Sequence, residues 1–193
     1  MKQRIRVTRL FLWLSLAFVA PGIAGQARAP KDSEEVRDLK TFADRVQAYV
    51  KMQKDLEASL STLKPTKDAG QIVEHQHALA RKIVDARRNA RQGDIFTHEV
   101  TERFRKIIHR AFDGPEGRLV RRTIQPDTPS KVIVLGVNDV FPEGVPVTTM
   151  PPTLLLKLPE LPQELAYRIV GHDLTLIDTK ARLILDLIPN AIR

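Results

Sequence analysis

Eight of the thirteen prolines in this 193-residue chain fall between Pro126 and Pro162, and they divide it into two stretches of different apolar periodicity. Proline has no backbone N–H and a fixed φ, so a run this dense neither continues a helix nor supplies central strands. Before it, from Asp32 to about Phe112, apolar residues recur at steps of three and four. After it, residues 165–170, 174–178 and 183–188 are rich in leucine, isoleucine and valine and are separated by turn residues. Helix and strand are thus segregated along the chain, an α+β order unlike the alternation of a parallel sheet.

The spacing predicts three helices. The first carries the row Val36, Leu39, Ala43, Val46, Val50, polar Gln53, Leu56, Leu60 and Leu63, with Asp32 and Glu35 as a capping box and Pro65 as the stop. The second opens on Asp68 with Gln71 in the same relation, runs through Ile72, Gln76, Leu79, Ile83, Ala86 and Ala90, and ends at Gly93. The third, capped by Asp94 or Thr97, has the row Phe96, Val100, Phe104, Ile107 or Ile108, Ala111 and Phe112, and Asp113-Gly114-Pro115 closes it. A further helical turn is expected over 116–123. Each stripe needs a neighbour to cover it. Short connections favour an N-terminal antiparallel bundle, or a long helical hairpin with the third helix folded across it.

In the proline-rich stretch, Lys131-Val132-Ile133-Val134-Leu135 is a short strand candidate, 153–157 fits one helical turn, and 158–162 is expected to be extended. Beyond it, Gly171-His172-Asp173 and Asp178-Thr179-Lys180-Ala181 turn the chain between three strands. Alternate residues of Tyr167-Arg168-Ile169-Val170 and Leu174-Thr175-Leu176-Ile177 should face a core while the others face water. A hairpin of this length is marginal alone, so the reading is a small antiparallel meander packed on the helical half.

The N-terminus has the pattern of a secretory leader. Lys2, Arg4, Arg6 and Arg9 precede the apolar run 10–20, followed by Pro21, Gly22 and the small-residue exit Gly25-Gln26-Ala27. The run is short for a bilayer span of roughly 20 residues, and cleavage is expected after Ala27. The organisation is therefore a signal peptide over 1–27, a helical domain over 28–125, and a proline-rich segment with a β subdomain over 126–193. Loss of the leader's four cations lowers the formal net charge from +8 to +4. No cysteine is present, so a chain exported to the periplasm or beyond has no disulfide and relies on its core.

Two stretches carry a family resemblance. They are Gln92-Gly93-Asp94-Ile95-Phe96-Thr97 and the tail Leu158-Pro159-x-Leu161-Pro162-x-Glu164-Leu165-x-Tyr167-Arg168-x-Val170-Gly171-x-Asp173-Leu174, ending in Leu183-Ile184-x-Asp186-x-Ile188-Pro189-Asn190-Ala191-Ile192. In these the chain resembles a family of uncharacterised exported bacterial proteins, which implies export and no known activity. Residues 170–188 are also similar to the C-terminal hairpin of periplasmic nickel and cobalt homeostasis proteins. That likeness covers a generic hairpin and implies no metal handling.

For chemistry, His98-Glu99-Val100-Thr101-Glu102 approaches the zinc-protease pattern H-E-x-x-H, with Glu102 in the second histidine's place. Residues four apart share a helix face, so His98 and Glu102, with His109 further along, form a candidate metal set in which Glu99 would be the base. Glu99 and Glu102 also stand at helical spacing from Arg103 and Lys106. His75 and His77, two apart, point in different directions. No serine lies in a Gly-x-Ser-x-Gly elbow, and no phosphate-binding glycine loop occurs, so no nucleotide cofactor is expected.

The remaining feature is basic charge in the middle of the chain. Arg81, Lys82, Arg87, Arg88 and Arg91 are expected on the second helix, and Arg103, Lys106 and Arg110 on the third. Nucleic acid is a poor partner for this face, because the chain is read as exported and Phe96, Phe104 and Phe112 lie on the core row. The reading is a non-catalytic binding protein that uses Arg87, Arg88, Arg91, Lys106 and Arg110 to dock an acidic protein or an anionic envelope component. The alternative is a metal sensor or metal-dependent hydrolase built on His98, Glu102 and His109.

Overall fold

A computed structural model describes residues 31–61, 67–113, 117, 134–141 and 150–192. The leader, most of 116–123, and residues 131–133 of the first strand candidate lie outside the described residues. Three helices, α1 (Lys31–Ala58), α2 (Ala69–Ala86) and α3 (His98–Phe112), precede a helical turn at Pro152–Leu155 and a sheet of β1 (Leu165–Val170), β2 (Asp173–Asp178) and β3 (Leu183–Ile188). The sheet is an antiparallel meander in the order β1-β2-β3, and α1 packs against both α2 and α3. This is the expected α+β layout.

The helix starts follow from their caps. Asp68 accepts from the N–H groups of Gly70 and Gln71 and from the Gln71 amide, and Thr97, not Asp94, caps α3 by accepting from Val100 N–H. The buried rows differ from the expected ones in α1. Phe42, Val46, Tyr49, Val50 and Gln53 are buried, whereas Val36 is 68% exposed and Ala43 faces outward. The inner stripe is thus set by the aromatic rings. Phe42 from α1 stacks on Phe96 at 5.6 Å between centroids and meets Phe104 of α3 at 5.1 Å and Tyr167 of β1 at 6.5 Å. One hydrophobic cluster runs from these rings through Leu79 and Ile83 to Leu174, Leu176 and Leu185, joining helices and sheet.

α2 stops at Ala86, short of the expected Gly93. Arg87 leaves the helix with φ −108° and ψ 25°, and its carbonyl accepts from the Asn138 amide at 2.8 Å. Gly93, at φ +93°, belongs to the loop before α3, where the left-handed backbone favours glycine.

β1 keeps the expected alternation as far as Ile169, with Ala166 and Arg168 half-buried between buried neighbours, whereas β2 and β3 are covered on both faces. β3 is buried throughout, and Val170, Ile177, Ile184 and Leu187 form a second cluster with Phe141 and Leu135. The cover is the 134–141 stretch, in which Val134 and Leu135 are not strand and Val140 forms a bridge with Leu183. Opposite β2, the ladder pairs Leu176 with Asp186 and Ile177 with Ile184, leaving Leu185 as an extra residue. This bulge turns two consecutive residues, Leu185 and Asp186, toward the helical layer, and Leu187 returns to the outer cluster.

Ion pairs tie the layers. Arg103, 8% exposed, bonds Glu35 at 2.8 Å and reaches Asp38 at 3.5 Å, joining α3 to α1. Lys54 of α1 meets the buried Glu164 carboxylate at 3.0 Å, just before β1. The hydrogen bond to Lys54 holds the Glu164 carboxyl below its ordinary value of 4.5. A carboxyl depressed on folding contributes stability above its unfolded pKa and loses it as pH falls through the folded value. Glu164→Gln should therefore flatten the loss of stability below about pH 4.5, measured by urea unfolding across that range. An unchanged acid limb would show that this pair contributes nothing.

Candidate functional site

The five cations expected to share one face divide into three groups. Arg87 is drawn inward, with its guanidinium donating to the Leu185 carbonyl at 3.0 Å and to Asn138 Oδ1 at 3.1 Å and lying 5.3 Å above the Tyr49 ring. Burial lowers its pKa, an effect opposed by Tyr49 and by the negative charges of Asp186, Asp94 and Asp178. Arg88 and Arg91 stand exposed on the connection before α3, and Lys106 and Arg110 stand exposed on α3 itself. Lys106 and Arg110 lie roughly 12 and 18 Å along the helix axis from His98, at about 1.5 Å per residue.

Arg88, Arg91, Lys106 and Arg110 form no ion pair among the described residues. Two pairs invited by helical spacing are absent. Arg103 turns away from Glu99 to bond α1, and Lys106 does not pair with Glu102.

The metal set is not brought together. His98, Glu102 and His109 are all exposed on α3, and His109 lies three turns from His98, roughly 16 Å along the axis. One ion with ligand bonds of roughly 2 Å cannot reach both. Among the described residues no group of three His, Asp or Glu side chains could hold a metal. Glu99 also departs from what a general base needs. Hydrogen bonds from its own backbone amide and from Thr97 hold its carboxyl below the usual range, away from neutrality.

Between the helices and the sheet lie two buried carboxylates that the sequence reading did not anticipate. Asp178, fully buried, accepts from the Tyr49 hydroxyl at 2.6 Å, Gln53 Nε2 at 3.1 Å, and the Lys180 and Ala181 N–H groups at 2.8 and 2.7 Å. Burial, then the Asp178 charge, pushes the Tyr49 phenol far above its ordinary range, so it stays a donor. Asp186, also fully buried, accepts from Gly93, Ile95 and Phe96 N–H at 3.0, 2.8 and 2.8 Å and from Leu187 N–H at 2.8 Å. Each carboxylate is saturated by donors, as a buried charge requires. They anchor the loops at 93–96 and 179–181. The signal for them was present in Gln53 on an otherwise apolar row and in Asp186 inside an apolar strand.

Two clefts border these anchors. One of about 460 Å³ lies between α1 and residues 86–95, lined by Arg45, Tyr49, Met52, Arg87, Asn89 and Asp94. Arg45 in it donates to the Asp94 carbonyl. The other, about 320 Å³, is lined by Gln92, His98, Thr101, Arg105, Leu187 and Pro189, with Arg105 donating to the Pro189 carbonyl at 2.9 Å. The guanidinium groups of both clefts thus hold backbone carbonyls. Among the described residues no helix is long and apolar enough to cross a membrane. No family model, curated protein or solved structure matches this chain.

Proposed function

We propose that this is an exported, non-catalytic binding protein that docks an anionic component of the cell envelope through Arg88, Arg91, Lys106 and Arg110. The observation that carries the reading is that these four cations are exposed and form no ion pair among the described residues, although acidic residues stand at pairing distance in sequence. Export is supported by the basic and apolar leader and by the resemblance to exported bacterial proteins. Arg87 contributes to the scaffold and not to docking, because its guanidinium is turned onto Leu185, Asn138 and Tyr49.

A cation near an anionic surface contributes about 1 kcal/mol. Replacing all four by Gln should lower affinity for purified envelope fractions by roughly a thousandfold at low salt, and wild-type binding should itself weaken as salt is added. Retention of Arg87 should leave the fold intact, checked by circular dichroism. Binding that is insensitive to both the substitutions and salt would end this reading.

A further inference from the structure

Among the described residues the most exposed large apolar side chain, Leu156, is one of two consecutive exposed leucines. Leu155 is 49% exposed and Leu156 87%, yet on either side Leu154 and Leu158 are buried in the main core. The backbone of this turn answers its own polar groups. Leu154 and Leu155 N–H donate to the Pro151 carbonyl, Leu156 N–H to that of Pro152, and Lys157 and Leu158 N–H to that of Leu154, at 2.9–3.2 Å. Two leucines are therefore presented by a turn whose N–H groups from Leu154 to Leu158 are answered within the turn, which lowers the cost of carrying them to an apolar boundary.

Exposed cations stand next to the turn in the chain and on the helix it packs against. The turn packs against α3, a helix that also carries the exposed Lys106 and Arg110, and Lys157 follows the leucines directly. All three are exposed and in no ion pair among the described residues. We infer that Leu155 and Leu156 enter the headgroup and acyl boundary of an anionic lipid surface, with Lys157, Lys106 and Arg110 on the phosphates beside them. This rests on the docking reading above and names its partner as lipid. A protein partner fits less well, since two leucine side chains supply a small part of the roughly 800 Å² that each side of a stable interface buries. Apolar insertion together with cation attraction is the combination that holds a peripheral protein on a bilayer.

The test uses the purified chain and protein-free vesicles of phosphatidylcholine with or without phosphatidylglycerol. Co-sedimentation should require phosphatidylglycerol, weaken at least tenfold in L155S/L156S, and weaken again in K106Q/R110Q/K157Q. Because the chain lacks cysteine, L156C can carry a single environment-sensitive dye, whose emission should shift to the blue on these vesicles alone. The inference is overturned if L155S/L156S binds as tightly as wild type, or if the dye does not shift. It is also overturned if the leucines mediate self-association without vesicle binding. Binding to envelope fractions but not to lipid vesicles overturns lipid as the partner and leaves the docking reading standing. Binding to neither ends both.

Discussion

Asp186→Ala should destabilise the protein by about 4 kcal/mol, the typical cost of breaking a buried, hydrogen-bonded charge. The substitution leaves the N–H groups of Gly93, Ile95, Phe96 and Leu187 without an acceptor and removes a negative charge that stabilises the half-buried Arg87 guanidinium. Against a total stability of about 5–15 kcal/mol, that loss lowers the melting temperature by roughly 12 °C. Asp186→Asn keeps the shape but turns an amide donor toward other donors, so it should recover only part of the loss. Urea unfolding gives the free energies, and hydrogen exchange should show the Ile95 and Phe96 amides losing protection first. A cost within 1 kcal/mol for alanine would mean that water replaces the carboxylate and that the anchor is dispensable.

Phe42→Ala should cost a similar amount, about 4 kcal/mol, because it opens a cavity where rings from α1, the pre-α3 loop, α3 and β1 meet. Val36→Ala, on the same helix but largely exposed, should stay within about 0.5 kcal/mol. The comparison decides which stripe of α1 faces inward. Since one cluster joins helices and sheet, unfolding followed by far-ultraviolet dichroism and by tyrosine fluorescence should coincide in the wild type and shift together in the variant. Separate transitions would show that the helical and β halves stand independently.

Much of the architecture was legible because it is local. The caps at Asp68 and Thr97, the turn at Gly171, and the three strands each follow from a few neighbouring residues. What was not legible depends on partners distant in sequence. The α1 row at Val36 and Ala43 satisfies helical spacing as well as the true one at Phe42 and Tyr49, and only the rings of Phe96, Phe104 and Tyr167 choose between them. The end of α2 is fixed by Asn138, about fifty residues on. Gln53 reads as a defect in an apolar row until Asp178 stands opposite it.

Of the site, residue types were visible but commitments were not. Arg87 and Arg103 have the same side chain as the exposed Arg88 and Arg110, and nothing local tells which guanidinium turns inward. The two stretches that carried the family resemblance proved to be partners, since Asp186 of the tail accepts from the loop at Gly93, Ile95 and Phe96.

The segment laid along β3 has a further consequence for how the molecule behaves at high concentration. Asn138 and Phe141 N–H donate to the Ile184 and Arg182 carbonyls, and Ile184 N–H donates to the Asp139 carbonyl, so the outward groups at the start of this apolar strand are already answered. An uncovered edge of that kind templates the addition of other chains. The 138–141 stretch thus acts as a guard against fibre growth, leaving β1 as the meander's one unguarded margin among the described residues.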